Sequence, residues 1–302
     1  MLNFFNAIVI GFVQGVAEFL PISSSGHLVL IYSLFKIDGD NFALTVFLHM
    51  ATLFSIIYVY RKDILKLIMH PFCKTNKLLV VATIPTVIIA VIFKKIVMGA
   101  FGLNYIIFGF IITALILAIS DYLSQRQAIS STTITTQTQN GQLVKYQTPQ
   151  TVVKKNVIIH SNPALITTGD ITNLNIKYFQ AIIIGIAQGI ACFPGISRSG
   201  STIATGLICG CDKKEITTFS FLLSIPAILG SMILAIAHVN ESSVSINTFS
   251  LITACIVSFI VGVISIRLLL KLVKKQKLTY FSYYLLALVF LILLVKFIAR
   301  QP

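Results

Sequence analysis

The sequence predicts an all-α polytopic membrane protein: an inverted-topology repeat with six transmembrane helices and two re-entrant helix–loop–helix hairpins. Three observations predict it: an apolar composition, basic residues gathered at the ends of the apolar runs, and a duplicated segment that interrupts two of those runs. Of 302 residues, 56% are hydrophobic and only 11% charged, with a mean hydropathy of +0.93. A soluble domain carries about 25% charged residues, so a water-soluble globule is excluded. The net charge of +14 sits where membrane orientation places it, which argues against nucleic acid as a partner. Cys73, Cys192, Cys209, Cys211 and Cys255 form no CxxC or Cys/His ligand spacing, so they read as small apolar packing residues rather than a zinc site or a disulfide framework.

The N-terminus, MLNFFNAIVI, lacks the basic start of a cleavable signal peptide and is read as part of the mature fold. The first apolar arm, 3–20, breaks at Pro21 and the serines and resumes only over 27–35. Spans follow at 42–60, 77–97 and 103–123, each close to the roughly 17–25 residues that cross a bilayer. A second broken segment runs over 176–193, interrupts at Pro194-Gly195, and resumes over 201–209. Spans at 215–238, 249–271 and 280–298 complete the chain. The second arms of the broken segments are too short to cross, so both are expected as re-entrant hairpins, tolerated at membrane depth only where they are buried or line a cavity. Pro85 and Pro226 are expected to kink their spans. Tyr60, Tyr105, Tyr122, Tyr178, Tyr280 and Tyr283 are expected as interfacial anchors, there being no tryptophan.

The two breaks are copies of each other. GFVQGVAEFLPISSSG (11–26) and GIAQGIACFPGISRSG (185–200) agree at nine of sixteen positions, at a constant offset of 174. That offset also carries the first three spans close to the last three. Each copy holds three spans, an odd number, so the second must be inserted upside down, with sites expected near the midplane between the broken helices. The halves are 1–124 and 176–302, joined by a Thr-, Gln- and Ser-rich linker, 125–175. Some β structure is expected there from VVKKNVII, but no chemistry. Seventeen Lys and Arg fall in the loops at 61–77, 125–177, 211–214 and 267–279, against five on the opposite side. The first group is therefore cytoplasmic, and both termini and the mouth of the first hairpin face outward.

Among nine acidic residues only Glu18 lies inside an apolar arm, four positions after Gln14 and so on the same helix face. Gln14 and Glu18 could hold a hard divalent cation, Mg²⁺ or Ca²⁺; the plainer reading is a pair that ties two helices together. Ser23, Ser24, Ser25 and Gly26 open a short helix whose free N–H groups suit an anion. His27 follows as a candidate base or nucleophile. In the second break Ser197, Arg198, Ser199 and Thr202 cluster, and Arg198 is the one basic residue in the core of either hairpin. Its guanidinium suits a phosphate, or simply neutralises Glu18. His49 stands undecided between site and span; His70, His160 and His238 read as loop or interface residues. A carboxylate, a cation, hydroxyls, a His and an Arg at the midplane are a phosphoryl-transfer set, acting on a phosphate carried by a lipid.

The pattern Q-x-x-x-E, F-L-P-x-S-S-S-G-H and then P-G-x-S-R-S-x-x-T resembles the undecaprenyl-diphosphate phosphatase family, the bacitracin-resistance proteins of bacteria. LHMATLFSIIYVYR (48–61) and FSFLLSIPAILG (219–230) are similar as well, so the likeness covers nearly everything but the linker. It implies hydrolysis of the terminal phosphate of undecaprenyl diphosphate, which regenerates the monophosphate carrier for peptidoglycan synthesis. It further implies a divalent cation, and a site facing outward across the bacterial inner membrane. By resemblance Gln14 and Glu18 are the metal-binding pair. Glu18, Ser24, His27 and Arg198 are the catalytic set, with attack from Ser24 or from His27. Ser23, Ser25, Gly26, Ser197, Ser199 and Thr202 are expected to bind substrate. The first motif position is Gln rather than Glu, which places more of the metal binding on Glu18, and the linker is longer than usual. The type-2 phosphatidic-acid phosphatases share S-G-H and S-R fragments but need a His where this chain has Ala204. A rival function on the same architecture is a secondary transporter or lipid flippase. The sequence leaves open whether the protein is a monomer or a homodimer.

Overall fold

The computed structural model describes residues 3–37, 42–100, 102–131, 133–137, 143–147, 170–236, 247–275 and 278–298. The first arm forms α1 (Phe4–Ala17), capped by the Asn3 side chain, and the chain restarts as α2 (Ser24–Leu34). Then come α3 (Phe42–Val59), α4 (Arg61–Met69), α5 (Lys74–Ile92), α6 (Lys94–Gly99) and α7 (Leu103–Ser131). A two-stranded antiparallel ribbon, β1 (Thr133–Gln137) with β2 (Leu143–Gln147), and a 3₁₀ turn at Ile171–Asn173 lead into the second half. That half holds α8 (Tyr178–Ile190), α9 (Arg198–Ile208), α10 (Lys213–Ile236), α11 (Thr248–Lys275) and α12 (Thr279–Ile298).

Among the described residues, α5, α7, α10, α11 and α12 are long and apolar enough to cross a membrane. A sixth such stretch is α3 taken with α4, bent by 78° between them. Exposure runs opposite to that of a soluble protein. Phe108, Ile112, Leu115 and Ile119 form an exposed stripe down α7, and Ile252, Ile256, Ile260 and Ile264 one down α11. Gln14, Glu18, Thr52, Ser55, Thr202 and Ser220 are buried at the centre. Apolar side chains outside and polar groups gathered inside are what a hydrocarbon solvent selects. The chain is a helical polytopic membrane protein.

Several expectations shift. The span expected over 77–97 ends at Ile92, and the next residues form the separate α6. α7 runs on to Ser131, through the first residues of the expected linker. The β structure lies at 133–137 and 143–147, while VVKKNVII falls outside the described residues. Asn140-Gly141 between the two strands is the hairpin signal in the sequence. The second arms begin at Ser24 and Arg198, three residues earlier than expected, because Ser23 and Ser197 act as N-caps. Tyr60 is no interfacial anchor: it is 5% exposed and packs against Phe221. The other five tyrosines expected at the interface are exposed.

Packing pairs the short helices with long ones from the other half. α1 lies along α11 and α8 along α5, while α3 and α10 touch each other, as do α7 and α12. Glycines set these approaches. A Cβ at Gly11 would run into the Ala254 carbonyl of α11, and one at Gly185 into the Ala82 carbonyl of α5. Gly15 and Gly189, one turn on, are equally closed in, by Ser258 and Val261 and by Ile89. Both helices thus carry a G-x-x-x-G face that lets backbones meet. α9 sits between α7, α8 and α10, which brings the second break to the first.

Candidate active site

α1 stops where Glu18 caps it, its N–H still bonded to the Gln14 carbonyl. Pro21 has no N–H to continue a helix. The chain turns through Ser23, held at φ 70°, whose Oγ accepts from the Gly26 N–H to start α2. In the second break Gly195 takes φ +86°, a region glycine adopts freely. Ser197 then caps α9 by accepting from the Gly200 N–H. The two breaks are stitched together: Ser199 Oγ donates to the Leu20 carbonyl at 3.2 Å, and the Gly195 N–H donates to Ser25 Oγ at 3.4 Å.

Glu18 is the hub. Arg198 Nη2 donates to its Oε1 at 2.6 Å; Ser24 Oγ and Gln14 Nε2 donate to its Oε2 at 2.7 and 3.1 Å. His49 Nε2 stands 3.5 Å from the same Oε2, and its Nδ1–H donates to the Thr45 carbonyl. The Glu18 side chain is 3% exposed and that of Arg198 19%. A charge this buried is tolerated only when paired and hydrogen-bonded. Two atoms at the hub keep unused capacity: Arg198 Nη1 and Gln14 Oε1 are buried without a hydrogen-bond partner among the described residues. One is a cationic donor, the other a neutral oxygen acceptor.

The expected residues divide into two groups. Gln14, Glu18, Ser24 and Arg198 converge, and His49, left undecided by the sequence, joins them. His27 turns elsewhere: its Nδ1 meets the Ser23 carbonyl at 2.7 Å and its Nε2 the Tyr284 hydroxyl at 2.8 Å. Ser197, Ser199 and Thr202 are 1%, 3% and 0% exposed and bonded within the protein, Thr202 to Ser220 at 2.6 Å. Ser23 caps α2, Ser25 bridges to Gly195, and Gly26 lies against Phe110 because no Cβ would fit there. Tyr284 was not singled out from the sequence: an interfacial tyrosine and a site tyrosine look alike in an apolar run.

Chemically, a serine hydroxyl donating to a buried carboxylate is a nucleophile with its base in place. A guanidinium beside it with a spare N–H suits a phosphoryl oxygen. No group of three or more His, Cys, Asp or Glu clusters as a metal site among the described residues. The oxygen donors at the hub nonetheless suit a hard cation: the Glu18 carboxylate and the orphaned Gln14 Oε1.

Comparison with known proteins shows the family. The family model described as "Bacitracin resistance protein BacA" matches residues 7–291. An undecaprenyl-diphosphatase of Alkaliphilus metalliredigens is 34% identical over 93% of this chain and 94% of its own. One from Treponema denticola is 35% identical over 95% of each chain. Undecaprenyl-diphosphatase 4 of Bacillus thuringiensis is 35% identical over 98% of each.

Proposed function

Because the chain belongs to the bacitracin resistance protein BacA family, we infer that it is an undecaprenyl-diphosphatase. It hydrolyses the terminal phosphate of undecaprenyl diphosphate, returns the monophosphate carrier to peptidoglycan synthesis, and so confers bacitracin resistance. The observation that carries the site assignment is the Glu18 hub, where a nucleophile, a base and a phosphate-binding cation from two hairpins meet within hydrogen-bond reach.

In this mechanism Ser24 Oγ attacks the terminal phosphorus and gives its proton to Glu18 Oε2, 2.7 Å away. The anhydride P–O bond breaks and undecaprenyl phosphate leaves; water then attacks the phosphoserine, and Glu18 returns its proton to Ser24 Oγ as that P–O bond breaks, releasing inorganic phosphate and restoring both residues. Arg198 uses the spare Nη1–H to hold the non-bridging oxygens as charge builds on them. Gln14 and Glu18 would hold a divalent cation, Mg²⁺ or Ca²⁺, which neutralises phosphate charge when bound. The first backbone N–H groups of α2, those of Ser24 and Ser25, would add to the same stabilisation, the Gly26 N–H being taken by the Ser23 cap.

The architecture proposed for this site is the inverted repeat with two re-entrant hairpins, halves 1–124 and 176–302, and a linker at 125–175 that begins within α7. Helix starts support it: Phe4 and Tyr178, Ser24 and Arg198, and Lys74 and Thr248 are each 174 apart. Packing supports it too, since exchanging the halves turns the α1–α11 contact into the α8–α5 contact. The protein is placed in the bacterial cytoplasmic membrane with the site open to the outside, as the distribution of Lys and Arg favours.

The test is inorganic phosphate release from undecaprenyl diphosphate by purified protein. A transporter or flippase would instead move the lipid across vesicles unchanged. Release that is abolished in Glu18→Gln and Ser24→Ala supports the reading; wild-type rates in both sink the site assignment.

A further inference from the structure

The mechanism leaves His27 and Tyr284 unused, although among the described residues they form the one side-chain hydrogen bond that ties α12 to the first hairpin. The bond spans 257 positions in the chain. The Ser23 carbonyl can only accept, so His27 Nδ1 carries the ring proton. In the neutral ring Nε2 is then left to accept from the Tyr284 hydroxyl. Both nitrogens are thereby committed, the ring lies stacked with Tyr284 at 5.8 Å between centroids, and it meets the Phe110 ring at 5.3 Å.

What His27 grips matters. Ser23 is a non-glycine residue at φ 70°, a conformation that costs of order 1–3 kcal/mol and survives only where neighbours over-determine it. Its carbonyl receives both the His27 N–H at 3.3 Å and Nδ1–H at 2.7 Å, while its Oγ caps Gly26. The next residue is Ser24, whose Oγ points at Glu18. Tyr284 is itself held in register. Asp121 of α7 accepts from the Thr279 N–H and hydroxyl at 2.7 and 2.8 Å, and Ser282 Oγ donates to the Ala114 carbonyl at 2.7 Å. Lys296 Nζ also donates to Asn104 Oδ1 of α7 at 2.6 Å. α12 is therefore pinned to α7 at three points, and the tyrosine hydroxyl is delivered to His27 from a fixed platform.

We propose that Tyr284 is a positioning residue for the phosphatase reaction, orienting Ser24 through His27 and the strained Ser23 carbonyl. The proposal rests on Ser24 as nucleophile. It makes His27 the link that holds the nucleophile's backbone, with no proton to carry in the reaction.

The experiment compares Tyr284→Phe with a change at its exposed neighbour outside the site, Tyr283→Phe, for phosphate release from undecaprenyl diphosphate. Tyr284→Phe removes only the hydroxyl and should lower kcat by about tenfold with KM nearly unchanged; Tyr283→Phe should match the wild type. Histidine-selective ¹⁵N NMR supplies a second readout. Wild-type His27 should show the Nδ1–H tautomer, and in Tyr284→Phe its Nε2 resonance should move downfield as the acceptor loses its donor. Unchanged kcat, a change confined to KM, or His27 resonances identical in the two proteins overturns the proposal. Ser24→Ala separates the failures. If it is inactive while Tyr284→Phe is normal, the positioning role alone is wrong; if Ser24→Ala is active, the underlying site assignment falls too.

Discussion

Glu18 and Arg198 sit 180 residues apart in the chain, yet Arg198 Nη2 donates to Glu18 Oε1 at 2.6 Å between the two helix breaks. Each residue closes its own break, so the ion pair joins the two hairpins as well as building the site. Glu18 has its duplicate at Cys192, and Arg198 has its duplicate at Ser24. The two similar segments thus carry complementary charges.

Breaking this pair should therefore affect stability as well as rate. Glu18→Gln leaves a guanidinium largely buried without its counter-charge. The cost should be about 3 kcal/mol, the lower end of the range for buried pairs, because the Arg198 side chain keeps some exposure. Arg198→Met alone should cost a similar amount, and the Glu18→Gln/Arg198→Met double variant less than the sum of the two. Thermal unfolding in detergent measures this. Strict additivity would mean that the pair does not couple the hairpins.

His49 approaches the same carboxylate oxygen that Ser24 uses. His49→Leu should lower kcat by about tenfold through a misdirected Glu18. His49→Gln, which keeps a side-chain N–H, should recover most of the rate. Steady-state kinetics on both variants is the check; wild-type rates in His49→Leu would remove His49 from the site, and equal losses would rule out its N–H as what positions Glu18.

The glycine faces predict where bulk is refused. Gly11→Leu and Gly185→Leu each drive a side chain into a backbone carbonyl and should cost at least about 1–3 kcal/mol, with loss of monodisperse protein on size exclusion. Gly230, in α10, has nothing near its missing Cβ. Gly230→Ala should be neutral or stabilise by about 0.5–1 kcal/mol.

Cation dependence should follow Gln14. Chelation should suppress phosphate release, with recovery on adding Mg²⁺ or Ca²⁺. Gln14→Ala, which removes the orphaned Oε1, should raise the cation concentration needed for half-maximal rate by about tenfold. An unchanged requirement would place the cation on other groups.

Much of this protein is set along the chain itself. The membrane class follows from apolar runs that no aqueous fold could cover. The two breaks follow from Pro21 and Pro194-Gly195, and Glu18 and Arg198 stand out because an ionised group in hydrocarbon needs a partner. Partnership is what the linear order could not decide. Whether Ser24 faced His27 or Glu18 depended on how the first break turns, and the turn there puts Ser24 on Glu18, six residues before it, while Arg198 reaches the same carboxylate from the second break. His49 and Tyr284 lie on helices whose register is fixed by contacts more than a hundred residues away, such as Ser55 on the Phe259 carbonyl and Thr279 on Asp121. Nothing local distinguishes them from ordinary span residues. The serines and Thr202 of the second break meet the same limit: hydroxyls that cap and stitch helices, as these do, have the same local signature as hydroxyls that bind an anion. Only burial and partners in three dimensions separate the two uses.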